Sequence, residues 1–184
     1  MVMNKHQIGF TLVELVTVII LIGILAVAVL PKFDGTASYE AHTHRAQLIS
    51  ALRLTQQRAM QQTDSTALAA TGQRYCHQLI FDNHLNVSRY GIPDRLDCTK
   101  ITFPNNWQPD ATGFIVEDKY TVNFGIAGKS NPSAVTFNSM GRPVANTNTS
   151  LENDCDNGCT INVQHGTDTP LQIEIEPEGY IHAK

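Results

Sequence analysis

An apolar run near the amino terminus, headed by the single carboxylate of Glu14, constrains this chain more than any other feature. From Leu15 to Leu30 there is no charged residue. About 20 apolar residues at a 1.5 Å rise suffice to cross a bilayer. Residues 10–33 therefore read as a helix whose surface must stay away from water, in lipid or against other protein. A carboxylate inside a membrane span costs roughly 2.5–3.5 kcal/mol, which marks Glu14 as a functional residue by default. Gly23, Ala26 and Ala28 suit close helix packing.

Two simpler readings fit less well. A secretory signal needs a basic start, an apolar stretch of roughly 7–15 residues and a small-residue cut site. Lys5 and Gly35-Thr36-Ala37 could supply the ends. The apolar run is too long for one, however, and helical sequence continues from Ser38 to Gln62 through the supposed cut. A plain uncleaved anchor leaves Glu14 near the membrane edge with no purpose.

Lys5, then Gly9-Phe10-Thr11-Leu12-Val13-Glu14 and an aliphatic helix, resembles the class III signal of type IV pilins and type II secretion pseudopilins. The resemblance implies that a prepilin peptidase cuts between Gly9 and Phe10. It implies N-methylation of the new amine on Phe10, and docking into a growing filament guided by Glu14. Pro31 falls where many members carry a helix-kinking proline. The physics agrees: pairing Glu14 with the Phe10 amine of a neighbouring subunit would neutralise both charges in an apolar core, where an unpaired charge is heavily penalised.

The chain has 184 residues, and about 150 remain beyond the apolar helix, enough for one compact domain. The expected organisation is a leader at 1–9, a transmembrane or filament-core helix at 10–33, an amphipathic helical half at 34–64 and a β-rich globular region at 65–184. A net charge of −4 and a pI near 5.9 do not point to nucleic acid. The basic residues Arg45, Arg53 and Arg58 read as a solvated helix face. The basic leader predicts a cytoplasmic amino end, an inner-membrane helix and a periplasmic body.

In an oxidising periplasm four cysteines read as two disulfides, with three connectivities open. Sequence proximity favours Cys76–Cys98 and Cys155–Cys159. Asn157-Gly158 inside the second pair predicts a tight hairpin turn. Cys155, Cys159 and His165 do not have a familiar zinc spacing. Glu152, Asp154, Asp156 and Asn157 crowd hard oxygen ligands into one loop, but out of register for an EF-hand, so a solvated turn is the simpler reading than calcium. No metal or cofactor is expected. His42 and His44 point to different helix faces.

Pro31 removes a backbone hydrogen bond and Gly35 loosens the next turn, which predicts a kink at 31–36 within a helix over residues 10–62. Leu48, Ile49, Leu52, Ala59 and Met60 recur at helical spacing and should face a core. Gln56, Gln57, Gln61 and Gln62 should lie on the wet side, and Thr63-Asp64-Ser65-Thr66 should stop the helix. Beyond it the period falls towards two. Strands are expected at Tyr75–Phe81, Leu85–Tyr90, Thr99–Phe103, Tyr120–Phe124, Ala134–Asn138, Thr160–Gln164, Leu171–Glu176 and Tyr180–His182. Turns are expected at Asp82-Asn83, Met140–Pro143 and Pro177–Gly179. Asn105–Gly113 and Asn146–Asn153 should be surface loops.

A long helix packed on an antiparallel β-sheet is an α+β fold, and it is what the pilin resemblance implies. Gln47–Arg53 with Gln56–Ala59, Val135–Pro143 and Ile173–Ile181 resemble the GspH/FimT group of minor pilins. Without a nucleophile elbow, a His-Glu-x-x-His or a phosphate loop, no catalytic reading survives. The chain reads as an assembly subunit. Its expected partners are prepilin peptidase, other major and minor pilins, and an inner-membrane assembly platform. A type II pseudopilin of the H kind, a DNA-uptake pilin and a major pilin are the rivals.

Overall fold

The computed structural model describes residues 10–29, 36–61, 77–84, 87–94, 97, 99–116, 122–145 and 154–184. Two compact units are present, Met1–Ala37 and Ser38–Lys184.

In the first unit, helix α1 spans Leu12–Val29. Thr11 caps it, its Oγ1 accepting the Glu14 N–H at 3.2 Å while its carbonyl accepts the Leu15 N–H at 3.2 Å. Thr11 and Glu14 stand at the spacing of a capping box, and Glu14 lies in the first turn, where the helix dipole favours a negative charge. The helix is apolar on every side: Leu12, Val13, Leu15, Val18, Leu21 and Ile24, which point all around its axis, are all exposed. Among the described residues no helix is long and apolar enough to cross a membrane. The 18 residues of α1 reach roughly 27 Å against a hydrocarbon core of about 30 Å. The expected span at 10–33 thus includes residues, Pro31 among them, that lie outside the described ones.

Helix α2 spans Thr36–Gln61, and from Ser38 onward it belongs to the second unit. Ala41, His44, Leu48, Ala51, Leu52, Thr55 and Ala59 are buried, a stripe at spacings of three and four. Thr55 satisfies its buried hydroxyl by donating to the Ala51 carbonyl at 2.9 Å. Met60 departs from expectation and is exposed, because it lies one position past the buried stripe. The expected helix stop at residues 63–66 lies outside the described residues.

The strands are β1 (Gln78–His84), β2 (Val87–Gly91), β3 (Phe114–Ile115), β4 (Val122–Ile126), β5 (Ser133–Phe137), β6 (Pro143–Val144), β7 (Cys159–His165), β8 (Leu171–Ile175) and β9 (Ile181–Ala183). They form two sheets, β3-β2-β1-β5-β6 and β4-β7-β8-β9, where one was expected. Every strand pair is antiparallel. The α+β arrangement stands, with a helix laid on antiparallel sheets. Leu48 and Leu52 of α2 join Leu79, Phe81 and Val135 of the first sheet and Phe124, Ile161, Ile173 and Ile181 of the second in one core. Each such side chain contributes about 1.5–3 kcal/mol when fully buried.

Two expectations about strands and turns also fail. Asp82-Asn83 is strand, not turn. Asp82 pairs in register with Arg89 and accepts its guanidinium at 2.8 Å, and Asn83 donates to the Phe124 carbonyl at 3.0 Å. The Asp82 carboxylate and the Asn83 side-chain N–H therefore find partners on neighbouring strands, while Asn83 Oδ1 is buried with no partner among the described residues. Thr99–Phe103 is not a strand. The Thr99 N–H and hydroxyl both turn back to Asp97 Oδ1, at 3.0 and 2.6 Å. That segment instead brings Phe103 and Trp107 against Ile80 and Ala134. Arg89 lies 4.8 Å over the Phe103 ring, and Trp107 Nε1 donates to the Ile92 carbonyl at 3.0 Å.

Candidate functional site: the amino-terminal helix and the helix–turn junction

Phe10 opens the described chain and is 80% exposed. The Thr11 cap uses the backbone N–H of Glu14, while the Glu14 carboxylate has no partner among the described residues. The first turn thus presents one carboxylate, unpaired among the described residues, on an apolar helix. Thr17 turns its hydroxyl back to the Glu14 carbonyl at 2.9 Å, so it adds no polar group to the apolar surface. Gly9, on the other side of the expected cut, lies outside the described residues.

A second constellation was misread from sequence. Gln56, expected on the wet side, is half-buried and donates through Nε2 to the carbonyls of Gly141 and Gly179, at 2.7 and 2.6 Å. One turn earlier on α2, Arg53 donates to the Ile181 carbonyl at 2.7 Å. The helix is thereby tied to the Met140–Pro143 turn and to the Pro177–Gly179 turn at once. Gly179 has φ +93°, and a Cβ there would meet the Gly141 carbonyl oxygen and come 2.7 Å from Gln56 Nε2. Only glycine fits this approach. Nothing in the local spacing of Gln56 signals the role. Both turns were visible, but not that one helix side chain reaches them together.

The arginine face is likewise not free. Besides Arg53, Arg58 pairs with Asp110 at 3.3 Å and Arg45 approaches His42 Nδ1 at 3.4 Å. These contacts hold the basic side chains to the protein's own surface.

Cys155 and Cys159 form a disulfide with Cα atoms 5.4 Å apart. Asn157 and Gly158 both take positive φ, 56° and 93°, as the expected tight turn requires. The turn does not close a hairpin, however. Asp154 bridges Ala134 of β5, and Cys159 begins β7 of the other sheet. The disulfide sits where the chain changes sheets. Cys76, Cys98 and Glu152 lie outside the described residues. Among the described residues no group of three or more His, Cys, Asp or Glu is placed to hold a metal ion.

His44 is buried edge-on to Phe114 and Phe124, with ring centroids at 5.1 and 6.0 Å. Burial lowers its pKa, outweighing a hydrogen bond to Gln47 and the charge of Glu40. His77 is also lowered, by burial and then by the Arg58 charge. In His44, which is buried, and His77, which is partly buried, the neutral imidazole is favoured.

Residues 4–30 match a family model described as the prokaryotic N-terminal methylation motif. No curated protein and no solved structure matches the chain. The match covers residues 4–9 of the expected leader, the expected cut site, Phe10, Glu14 and α1 as far as Val29. The motif, together with the helix-on-sheet fold, supports a membrane-anchored, type IV pilin-like chain.

Proposed function

We propose that this chain is a minor pilin of a type IV pilus, a structural subunit that helps to initiate or cap the filament. It is made as a single-pass inner-membrane precursor with a periplasmic body. Prepilin peptidase cuts between Gly9 and Phe10, and Phe10 is N-methylated. The inner-membrane assembly platform then extracts α1 into the filament beside other major and minor pilins. The observation that carries this reading is α1 itself. Behind a methylation motif it exposes apolar residues on every side and one carboxylate, Glu14, without a partner among the described residues, in a capped first turn. Such a surface needs lipid or other apolar helices around it, and such a carboxylate needs a cation. The Phe10 amine of a neighbouring subunit is that cation, and the pairing sets axial register.

The minor-pilin assignment draws on the likeness of Gln47–Arg53 with Gln56–Ala59, Val135–Pro143 and Ile173–Ile181 to the GspH/FimT group, and within it to the minor pilin MshC of the mannose-sensitive haemagglutinin pilus. The three segments meet in space at Gln56, Gly141 and Gly179, which supports treating them as one unit. The second reading is a type II secretion pseudopilin of the H kind, which would share the same amino-terminal chemistry. A DNA-uptake role loses support because Arg53 and Arg58 already have partners within the protein.

A clean deletion, scored for surface pili by electron microscopy and for exoprotein in the medium, separates the two leading readings. Lost pili with normal secretion is the expected result. Normal pili with lost secretion would move the chain to the type II machine.

A further inference from the structure

The outward face of the second sheet carries a cluster of amides. Along β4, Val122, Phe124 and Ile126 are buried, so Asn123 and Gly125 face away from the core; along β7, Ile161 and Val163 are buried, so Asn162 and Gln164 do the same. The register sets Asn123 opposite Gln164 and Gly125 opposite Asn162. Asn83 of β1 and Asn131 of the turn after β4 join them around an open groove of about 230 Å³. Gly125 keeps its middle clear, since a Cβ there would come 3.2 Å from Asn131 Oδ1.

The amides are held in place from behind. Asn83 and Asn131 both donate to the Phe124 carbonyl, each at 3.0 Å, and Asn131 Oδ1 accepts from Ser133 at 3.1 Å. Asn123 Oδ1 accepts from Ser88 at 2.8 Å, and Asn162 Oδ1 accepts from Gln172 at 3.4 Å. Gln164 Nε2 donates to the Asp168 carbonyl at 3.1 Å. Asn131 is held at both ends, whereas the bonds of Asn123, Asn162 and Gln164 fix one end of the amide and leave the other. The Nδ2 groups of Asn123 and Asn162 and the Oε1 of Gln164 have no partner among the described residues. The groove thus offers oriented donors beside an acceptor, on rigid strands; Lys129 is the one charged residue in its described lining, and no carboxylate is among them.

A hydroxyl group both donates and accepts, and adjacent ring hydroxyls match such an alternation. We propose that this groove binds one neutral sugar ring of a glycan. A polar, amide-lined floor disfavours an apolar ligand, because amides left unpaired beneath it would lose their hydration. At about 230 Å³, below the roughly 300–1,000 Å³ of drug-sized pockets, the open groove has room for one ring against its floor. The site is independent of the filament chemistry of α1.

The test is saturation-transfer NMR on the full chain in dodecylphosphocholine micelles, a detergent without a sugar headgroup. The probes are methyl glycopyranosides of glucose, galactose and N-acetylglucosamine. At least one should receive saturation, with millimolar affinity. The double variant Asn123→Ala, Asn162→Ala removes two donors and should weaken binding about tenfold or more. Gly125→Ala places a methyl in the groove and should weaken it independently, with an unchanged unfolding midpoint. No transfer to any probe at about 50 mM sugar, or transfer that survives in both variants, overturns the proposal. If the double variant does not fold, Gly125→Ala decides.

Discussion

Gln56 donates its side-chain amide to the main-chain oxygen of Gly179 at 2.6 Å across 123 residues of sequence. The same nitrogen reaches Gly141 at 2.7 Å, so one side chain clamps two turns onto α2. Gln56→Ala leaves both carbonyls short of a donor in a half-buried junction, which costs about 1–3 kcal/mol. The neighbouring exposed Gln57→Ala should stay within about 0.5 kcal/mol of the parent chain. Urea unfolding of the two variants, side by side, checks the contrast.

The glycines of this junction are not equivalent to others with positive φ. Gly179→Ala drives a methyl into the Gly141 carbonyl and displaces Gln56 Nε2, whereas a Cβ on Gly128, φ +76°, meets nothing within 4 Å. Gly128→Ala should cost only the left-handed backbone term, about 1–2 kcal/mol. Gly179→Ala should cost clearly more and lower the yield of folded chain. Equal unfolding midpoints would show that the junction yields without strain.

His44 makes stability depend on pH. Its folded pKa lies below 6.5, because burial beside Phe114 and Phe124 disfavours the imidazolium. As pH falls through about 6.5 the unfolded chain takes up a proton that the folded chain does not, so stability declines until the lower folded pKa is passed. His77 acts with the same sign. The unfolding free energy should fall between about pH 7.5 and pH 5.5, and His44→Leu should flatten part of that slope. A slope unaltered by the substitution would remove His44 from the account.

The Cys155–Cys159 disulfide joins residues only four apart. Its loop-closure contribution is correspondingly small, about 2 kcal/mol. Replacing both cysteines with alanine should lower stability by about that much, since Cys155 is also fully buried. The β7–β8–β9 ladder should survive, which amide exchange can follow. Early exchange throughout that ladder would give the disulfide a larger part in the sheet than its loop length implies.

Glu14→Ala should leave cleavage before Phe10 intact and reduce incorporation into filaments. Glu14→Gln, which keeps the shape and removes the charge, should behave the same way if the carboxylate pairs with an amine. Immunoblots of sheared filaments and of membranes would read both steps. Full incorporation of either variant would refute the pairing.

Much of the architecture was legible because its causes are local. The stripe Leu48, Leu52, Ala59 announces which face of α2 is buried, and alternation marks β4, β5, β7 and β8 within a few residues. The strand through Asp82 and Asn83 was misread because turn-forming residues found partners on Arg89 and Phe124, which belong to other strands. β3 is two residues long and carries no pattern of its own.

The same division holds for function. Gly9, Phe10, Glu14 and the uncharged run behind them lie within one stretch of chain, so sequence alone establishes the methylation motif and an apolar helix that must be covered. The split into two sheets, the disulfide at the crossing between them, and the clamp of Gln56 and Arg53 on turns more than 80 residues away were decided only by tertiary structure. The physical reason is that backbone carbonyls look alike in sequence. Which of them remain unpaired at a turn, and which side chain can reach them, depends on how helix and sheets pack around a shared core.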